Sequence, residues 1–389
     1  MAKQKLNVAL IGYKFMGKAH SQAWREAPLF FDTKAEPILK VVCGRHAEPL
    51  QEFANRWGWE ETETDWRNVV ARDDIDIVDV SAPPYLHYDI ALAAAESGKA
   101  VFCEKPMCMS SKEAASLVAA VEKNGVTHYL NHNYRRCPAV SYAKHLIDMG
   151  RIGTIYHWRG CYLQDWIMDQ NIPLSWHLRK ETAGGGPHWD LNSHSVDLAH
   201  YLVGNIATVQ GLLATFIKER PLVDEADENT FGGAVYSGDS KMGEVTVDDA
   251  ASMLVRFKNG AMGSFESTRF AGGRKNFNSF EIYGSKGSLS FNLERMNELG
   301  YYNREEDSSE AGFKNIIVTE STHPYISAWW PPGHIIGYEH GFVHAAVDFL
   351  NAIINNNPIT PNFHDGLNIL KVLEAGRESA ETGSRINLE

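Results

Sequence analysis

The sequence predicts an α/β protein with an N-terminal Rossmann-type, doubly wound parallel sheet. A C-terminal α+β domain with a large open, mainly antiparallel sheet follows it. Three observations predict this. Short apolar runs alternate with helical patterns as far as about Asn124, and a glycine turn, Gly12 to Gly17, separates the first run from the first helix. After about Asn131 the runs become longer and alternating, and hairpin signals join them. A chain of 389 residues exceeds one ordinary hydrophobic core. We therefore expect a dinucleotide-binding domain over residues 1–130 and a substrate-binding and oligomerisation domain over 131–389, with the last helices packing back on the first.

The elements follow in order. Leu6–Ile11 is an apolar run ended by Gly12, and a helical pattern begins near Gly17. Strands are expected at Ile38–Cys43, Ile75–Val80 and Ala100–Cys103, and helices at Glu48–Trp57, Tyr88–Ser97 and Lys112–Asn124. Residues Pro28–Pro37 read as an insertion. In the second half, Ala250–Phe257 and Ala261–Phe270 alternate around Asn259-Gly260, a strong hairpin signal, and Gly284–Gly287 joins two more strands. Helices are expected at Asp190–Val203, Gly341–Ile354 and Gly366–Glu381, and the Gly- and acid-rich stretch Val223–Gly243 reads as a loop excursion. No internal repeat is visible.

Composition narrows the function. A formal net charge of -12 without a dense basic run repels nucleic acid and anionic lipid. Five cysteines, an odd number without CxxC spacing, argue against a disulfide framework or a structural zinc site. The N-terminal lysines and the Val-Ala-Leu-Ile run resemble a leader, but Gly12 and Lys14 cut the apolar stretch short, so it reads as a first strand. No apolar run approaches the roughly 20 residues that span a bilayer. The expectation is a cytoplasmic protein with reduced thiols and neither nucleic acid nor membrane as a partner.

Several constellations carry chemistry. Gly12 and Gly17 keep the first and last glycines of the dinucleotide turn, with Lys14 in place of the middle one. Phe15 and Met16 complete a loop whose helix amides suit a pyrophosphate. No acidic residue ends the second strand; Arg45 stands there, suited to a 2′-phosphate or to the adenine face, so NAD and NADP both stay open. Pro83 and His87 follow the third strand, where a doubly wound sheet opens its crevice. There they line the nicotinamide side or simply stiffen a strand-to-helix loop. Glu104 and Lys105 follow the next strand, and Pro106 ends it, leaving an ammonium at the carboxyl edge able to donate to a substrate oxygen.

Asp190, His194 and Asp197 recur at i, i+4, i+7, one helix face that suits the orientation and deprotonation of a hydroxyl. The rivals are zinc, for which no clear third ligand stands out, and a plain helix cap at Asp190. No metal is assigned. Tyr134 and Arg135 sit at the expected domain junction; Gln164, Asp165, Trp166 and Trp176 combine aromatic faces with hydrogen-bonding groups in a way that suits a pyranose. Signatures of serine hydrolases, phosphate-loop enzymes and HExxH metalloproteases are missing.

These residues resemble the Gfo/Idh/MocA oxidoreductases, the family of glucose-fructose oxidoreductase and inositol dehydrogenase. The likeness rests on the strand-turn-helix start, Glu104-Lys105-Pro106, Gly184–Gly186, Asp190 with His194, and the Gly284–Gly287 hairpin. The Tyr13–His20, Asn133–Arg136 and Tyr162–Trp166 segments are similar to a branch that includes levoglucosan dehydrogenase. The resemblance implies a Lys105/Asp190/His194 catalytic set, NAD as cofactor, and a homodimer or homotetramer built on the open sheet. His188 and Trp189 stand where relatives carry a small pair, and two rings there should reshape the substrate pocket. The expected reaction is oxidation of a sugar or glycoside ring hydroxyl, at C3, by hydride transfer. The alternative is redox-neutral glycoside hydrolysis through transient oxidation, on an acidic sugar such as a sulfoquinovoside.

Overall fold

The computed structural model describes residues 3–222 and 241–388. They form two compact units. The first runs to Arg136 and takes in Ala328–Trp330 and Ile336–Asn368; the second holds Cys137–Ser327, Pro331–Ile335 and the chain from Ile369 on. Residues 223–240 of the expected loop excursion lie outside the described residues.

In the first unit, strands β1 (Gln4–Ile11), β2 (Ala35–Cys43), β3 (Glu61–Glu63), β4 (Ile77–Val80), β5 (Ala100–Cys103) and β6 (His128–Leu130) form one parallel sheet. Its order is β3-β2-β1-β4-β5-β6. Helices α1 (Phe15–Phe30), α2 (Ala47–Trp57), α3 (Trp66–Val70), α4 (His87–Glu96) and α5 (Ser111–Asn124) connect the strands. Strand order reverses between β1 and β4, the place where such sheets open a ligand crevice. Register aligns the strand ends there: Ile11 pairs with Val80, and Val80 with Cys103. Gly12, Ser81 and Glu104, the next residues, therefore stand side by side at the carboxyl edge.

The stretch read as an insertion, Pro28–Pro37, is mostly built into regular structure, with a short turn over 31–34 between. Pro28 lies within α1, and Pro37 lies within β2. Pro37 is tolerated because β3 pairs only with Val41–Cys43, so the missing N–H faces no neighbour on that side. The core joins Val8, Leu10, Val42, Ile77 and Phe102 of the sheet to Trp24 and Phe53 of the helices. It is completed by Phe342, Val343, Phe349 and Leu350 from the distant helix His340–Asn355. Each of those large side chains, fully buried, contributes about 1.5–3 kcal/mol.

The second unit opens with α6 (Pro138–Asp148) and β7 (Ile155–Leu163), then α7 (Lys180–Ala183), α8 (Pro187–Leu202) and β8 (Ile206–Ala214). Strands β9 (Glu219–Pro221) and β10 (Met242–Glu244) pair as a small antiparallel ribbon on either side of residues 223–240, so Met242 and Gly243, expected in the loop excursion, lie in a strand. The remaining strands are β11 (Ala250–Phe257), β12 (Met262–Thr268), β13 (Phe277–Gly284), β14 (Gly287–Asn292), β15 (Glu298–Asn303), β16 (Lys314–Ile317) and β17 (Ile386–Asn387). With β7 and β8 they make a nine-stranded sheet, β16-β15-β14-β13-β7-β12-β11-β8-β17. Only the β7–β12 pair is parallel. Both expected hairpins form: Asn259-Gly260 turns β11 into β12, and Gly284–Gly287 turns β13 into β14. Burial alternates along β11, with Ala251, Met253, Val255 and Phe257 inward, as period-2 patterning demands. The last helix, Phe363–Thr382, contributes residues to both units. No helix among the described residues is long and apolar enough to cross a membrane.

Candidate active site

In the first unit the dinucleotide turn is built by close approach. Gly12 has φ +111°, and a Cβ there would stand 2.4 Å from the Ser81 carbonyl oxygen. At Gly17 a Cβ would stand 2.5 Å from Gly12 O, so only glycines let the turn pass into α1. Helix α1 has no acidic residue in its first turn, and Lys14 is its exposed N-cap residue. This cradle fits a pyrophosphate. Phe15 is exposed and stacks on Tyr338 at 6.5 Å, while Met16 packs on the core. At Gly44 a Cβ would fall 2.3 Å from the Tyr13 ring, so a side chain ending β2 has no room, and Arg45 beside it is exposed. Pro83 is exposed and caps the short turn Pro84–Leu86.

Glu104 and Lys105 extend from β5. The half-buried Lys105 sits on a buried ionic cluster that sequence reading did not anticipate. The His20 imidazole spans two carboxylates: Nδ1 donates to Asp79 Oδ1 at 2.8 Å and Nε2 to Glu104 Oε1 at 2.9 Å. Trp24 Nε1 donates to Asp79 at 2.7 Å, and Asn131 Nδ2 to Glu104 at 2.6 Å. The Lys105 backbone N–H donates to Glu104 Oε2 at 3.1 Å. Burial opposes charge on His20, but the two carboxylates outweigh it and raise its pKa to about 10. Burial likewise opposes charge on Glu104, yet the His20 hydrogen bond and charge hold it below the usual carboxylate range.

In the second unit, α8 presents Asp190 and His194. Its N-terminus is capped from afar: Asp248 accepts from the Gly186 and His188 amides at 2.8 and 2.7 Å. A Cβ on Gly186 would lie 1.8 Å from Asp248 O, which explains the last glycine of the run. Asp190 therefore is not the cap; it lies one turn in. Its carboxylate accepts from Arg269 Nη2 at 2.6 Å, and that guanidinium also lies 5.1 Å from the Trp166 ring. Arg269, 1% exposed, carried no sequence signal beyond closing a strand. His194 is buried with the Tyr162 ring 5.8 Å away.

Beside them runs a cross-linked polar row. Trp166 Nε1 donates to Gln164 Oε1 at 2.9 Å, Gln164 Nε2 to Asn276 Oδ1 at 3.0 Å, and the Tyr162 hydroxyl to the same oxygen at 2.6 Å. Trp176 stacks on His177, whose ring meets Trp166 edge-on. Aromatic faces held by hydrogen-bonded neighbours suit a polyhydroxylated ring.

Several residues expected to meet a ligand are engaged inside their own unit. His87 is buried with its ring nitrogens 2.7 Å from the Pro106 and Ala82 carbonyls, so it braces the edge loops. Burial holds it below the ordinary imidazole range. Arg135 is buried and pairs with Asp365 at 3.1 Å, while Tyr134 beside it is buried. Asp165 pairs with Lys275 at 2.8 Å and accepts from Gly273 N–H, which ties down a loop. His188 and Trp189 are corrections to the expectation of a reshaped pocket. His188 Nε2 donates to Leu373 O at 2.7 Å; Trp189 packs against Gly184 and Gly185 with Arg377 over its ring. The reason is angular: at 3.6 residues per turn, about 100° per residue, His188 points about 200° and Trp189 about 100° away from Asp190.

Comparison with known proteins agrees with this architecture. Residues 6–132 match the oxidoreductase family with an NAD-binding Rossmann fold, and residues 140–290 match the GFO/IDH/MocA C-terminal domain. Levoglucosan dehydrogenase of Pseudarthrobacter phenanthrenivorans is 42% identical over 387 residues, covering 99% of this chain and 98% of that protein. A crystal structure of an oxidoreductase domain protein from Kribbella flavida superposes with a TM-score of 0.93 at 47% identity, covering 99% of this chain and all of that one. Levoglucosan dehydrogenase in complex with NADH and levoglucosan gives 0.92 at 41% identity, covering 99% of both chains. The chain therefore belongs to the Gfo/Idh/MocA family of NAD-binding oxidoreductases.

Proposed function

We propose that the chain oxidises a ring hydroxyl of a sugar or glycoside, at C3, with NAD as its cofactor. The observation that carries this reading is α8, which sets Asp190 and His194 one turn apart beside the Trp166–Gln164–Asn276 row, with Arg269 fixing Asp190. The names of its relatives, levoglucosan dehydrogenase and, at 28% identity over 251 residues, 1,5-anhydro-D-fructose reductase of Ensifer adhaerens, support a sugar as substrate.

Gly12, Lys14 and Gly17, with the amides opening α1, would hold the pyrophosphate of the dinucleotide. When bound, NAD supplies the hydride acceptor. His194 takes the hydroxyl proton as the carbon becomes a carbonyl, and the Lys105 ammonium donates to the developing alkoxide. Asp190 holds the hydroxyl and the imidazole in register, and the aromatic row seats the ring. The exposed apolar side chains on the sheet's outer face, Leu212, Leu254 and Met262, favour assembly as a homodimer or homotetramer.

An array of sugars and nitrophenyl glycosides, incubated with NAD, tests this. The expected result is NADH in stoichiometric amount from at least one sugar, levoglucosan included among the candidates. Aglycone release with only catalytic NAD would establish the redox-neutral hydrolysis instead, and no NADH from any sugar would overturn the reading.

A further inference from the structure

The cluster under Lys105 does more than fill space. His20, Asp79, Glu104 and Asn131 come from α1, β4 and the ends of β5 and β6, and each is at most 5% exposed. Every polar neighbour of the Asp79 carboxylate is a donor: His20 Nδ1, Trp24 Nε1 and the Ser81 hydroxyl. Among the described residues Glu104 likewise meets donors, from His20, Asn131 and the Lys105 amide. Two buried carboxylates this close to one ring are matched best by the imidazolium, which donates from both nitrogens, while the Lys105 charge also acts on Glu104. The other groups against the ring are uncharged: Ser81 Oγ lies 3.1 Å from Nδ1, Asn131 Nδ2 lies 3.3 Å from Nε2, and Phe102 and Phe342 pack at 5.4 and 5.6 Å. The Glu104 side chain is thereby turned back on its own strand end, where it grips the amide of the next residue.

We propose that His20 is a positioning residue for Lys105: as an imidazolium it balances one of two buried carboxylates and pins Glu104, which in turn holds the peptide from which the lysine side chain springs. This rests on the role given to Lys105 above. The motif Gly17-Lys18-Ala19-His20 thus joins the dinucleotide turn to the reacting end of the site within one helix turn. A substrate-side role is ruled out for His20, because both ring nitrogens are engaged and the residue is buried.

The test compares His20→Gln with the double variant His20→Gln/Asp79→Asn in the full chain. Assays use NAD with the sugar that the array identifies, and NADH titration by fluorescence. In His20→Gln two carboxylates lose their shared counter-ion, and kcat should fall at least about ten-fold while KM and the NADH Kd stay within about three-fold. The double variant restores the wild-type net charge and leaves a glutamine amide to donate to Glu104. It should recover kcat to within about three-fold of wild type. A folded His20→Gln with wild-type kcat overturns the proposal. So does a double variant that binds NADH yet stays slow, or that fails to fold despite its balanced charge. Lys105→Ala separates the two readings. If it keeps full turnover, the assignment of Lys105 itself is wrong; if it is inactive while His20→Gln is fully active, only the positioning role falls.

Discussion

Arg269 shows how one residue completes a site. Its guanidinium contacts the Asp190 carboxylate and lies by the Trp166 indole, so charge and an aromatic wall share one anchor. Arg269→Leu should therefore lower kcat/KM by about 10–100-fold, because Asp190 loses its orientation and the indole a cation–π contact of about 0.5–2 kcal/mol. Arg269→Lys should recover only part of this, since an ammonium lacks the planar fork. Steady-state kinetics on both variants would show it, and equal activity in all three proteins would remove Arg269 from the site. Lys105→Ala should reduce kcat by about 10²–10⁴-fold with little change in NADH affinity.

Helix α8 is the element on which the proposed substrate site depends, and it is held at its start by a residue some sixty positions away. Asp248 caps it through two amides, and Gly186 exists because a side chain there would collide with Asp248 O. Asp248→Ala should cost about 0.5–2 kcal/mol through the lost cap. Gly186→Ala should cost about 1–3 kcal/mol through overpacking. Both belong in urea melts read alongside kcat: if α8 positions the chemistry, activity falls together with the unfolding midpoint. Gly12→Ala is the matching change in the first unit, where strain at φ +111° and the contact with Ser81 O should cut NADH binding before stability collapses.

The whole molecule carries its pH limits in buried histidines. Burial holds His132 and His344 down to about 3 and His128 down to about 4. Their unfolded value is about 6.5, so the native state binds fewer protons below that pH. Stability from these groups is full above about pH 6.5 and is lost as pH falls toward their folded values, at up to about 1.4 kcal/mol per unit for each. His20 runs the other way: its contribution is complete below about 6.5 and disappears as pH rises through about 10. The urea midpoint should thus peak around neutrality and decline on both sides. A flat midpoint from neutral down to about pH 4 would mean these rings are not buried neutral.

Much of this was legible in one dimension. The alternation of apolar runs and helical patterns determined a parallel sheet, because each buried strand must be covered on both faces, and the glycine turn marked where a dinucleotide fits. The hairpins at Asn259-Gly260 and Gly284–Gly287 and the face shared by Asp190 and His194 followed from local geometry. Short strands such as β3 and β6 left no pattern to read, being three residues long. What only tertiary structure decided was pairing at a distance: Arg269 with Asp190, Asp248 with Gly186, His20 with Asp79 and Glu104, and the inward turn of His188 and Trp189. Local sequence specifies backbone conformation and which face is apolar. Which charge meets which is settled only when separate elements pack, because an ion pair between residues tens of positions apart has no period to betray it.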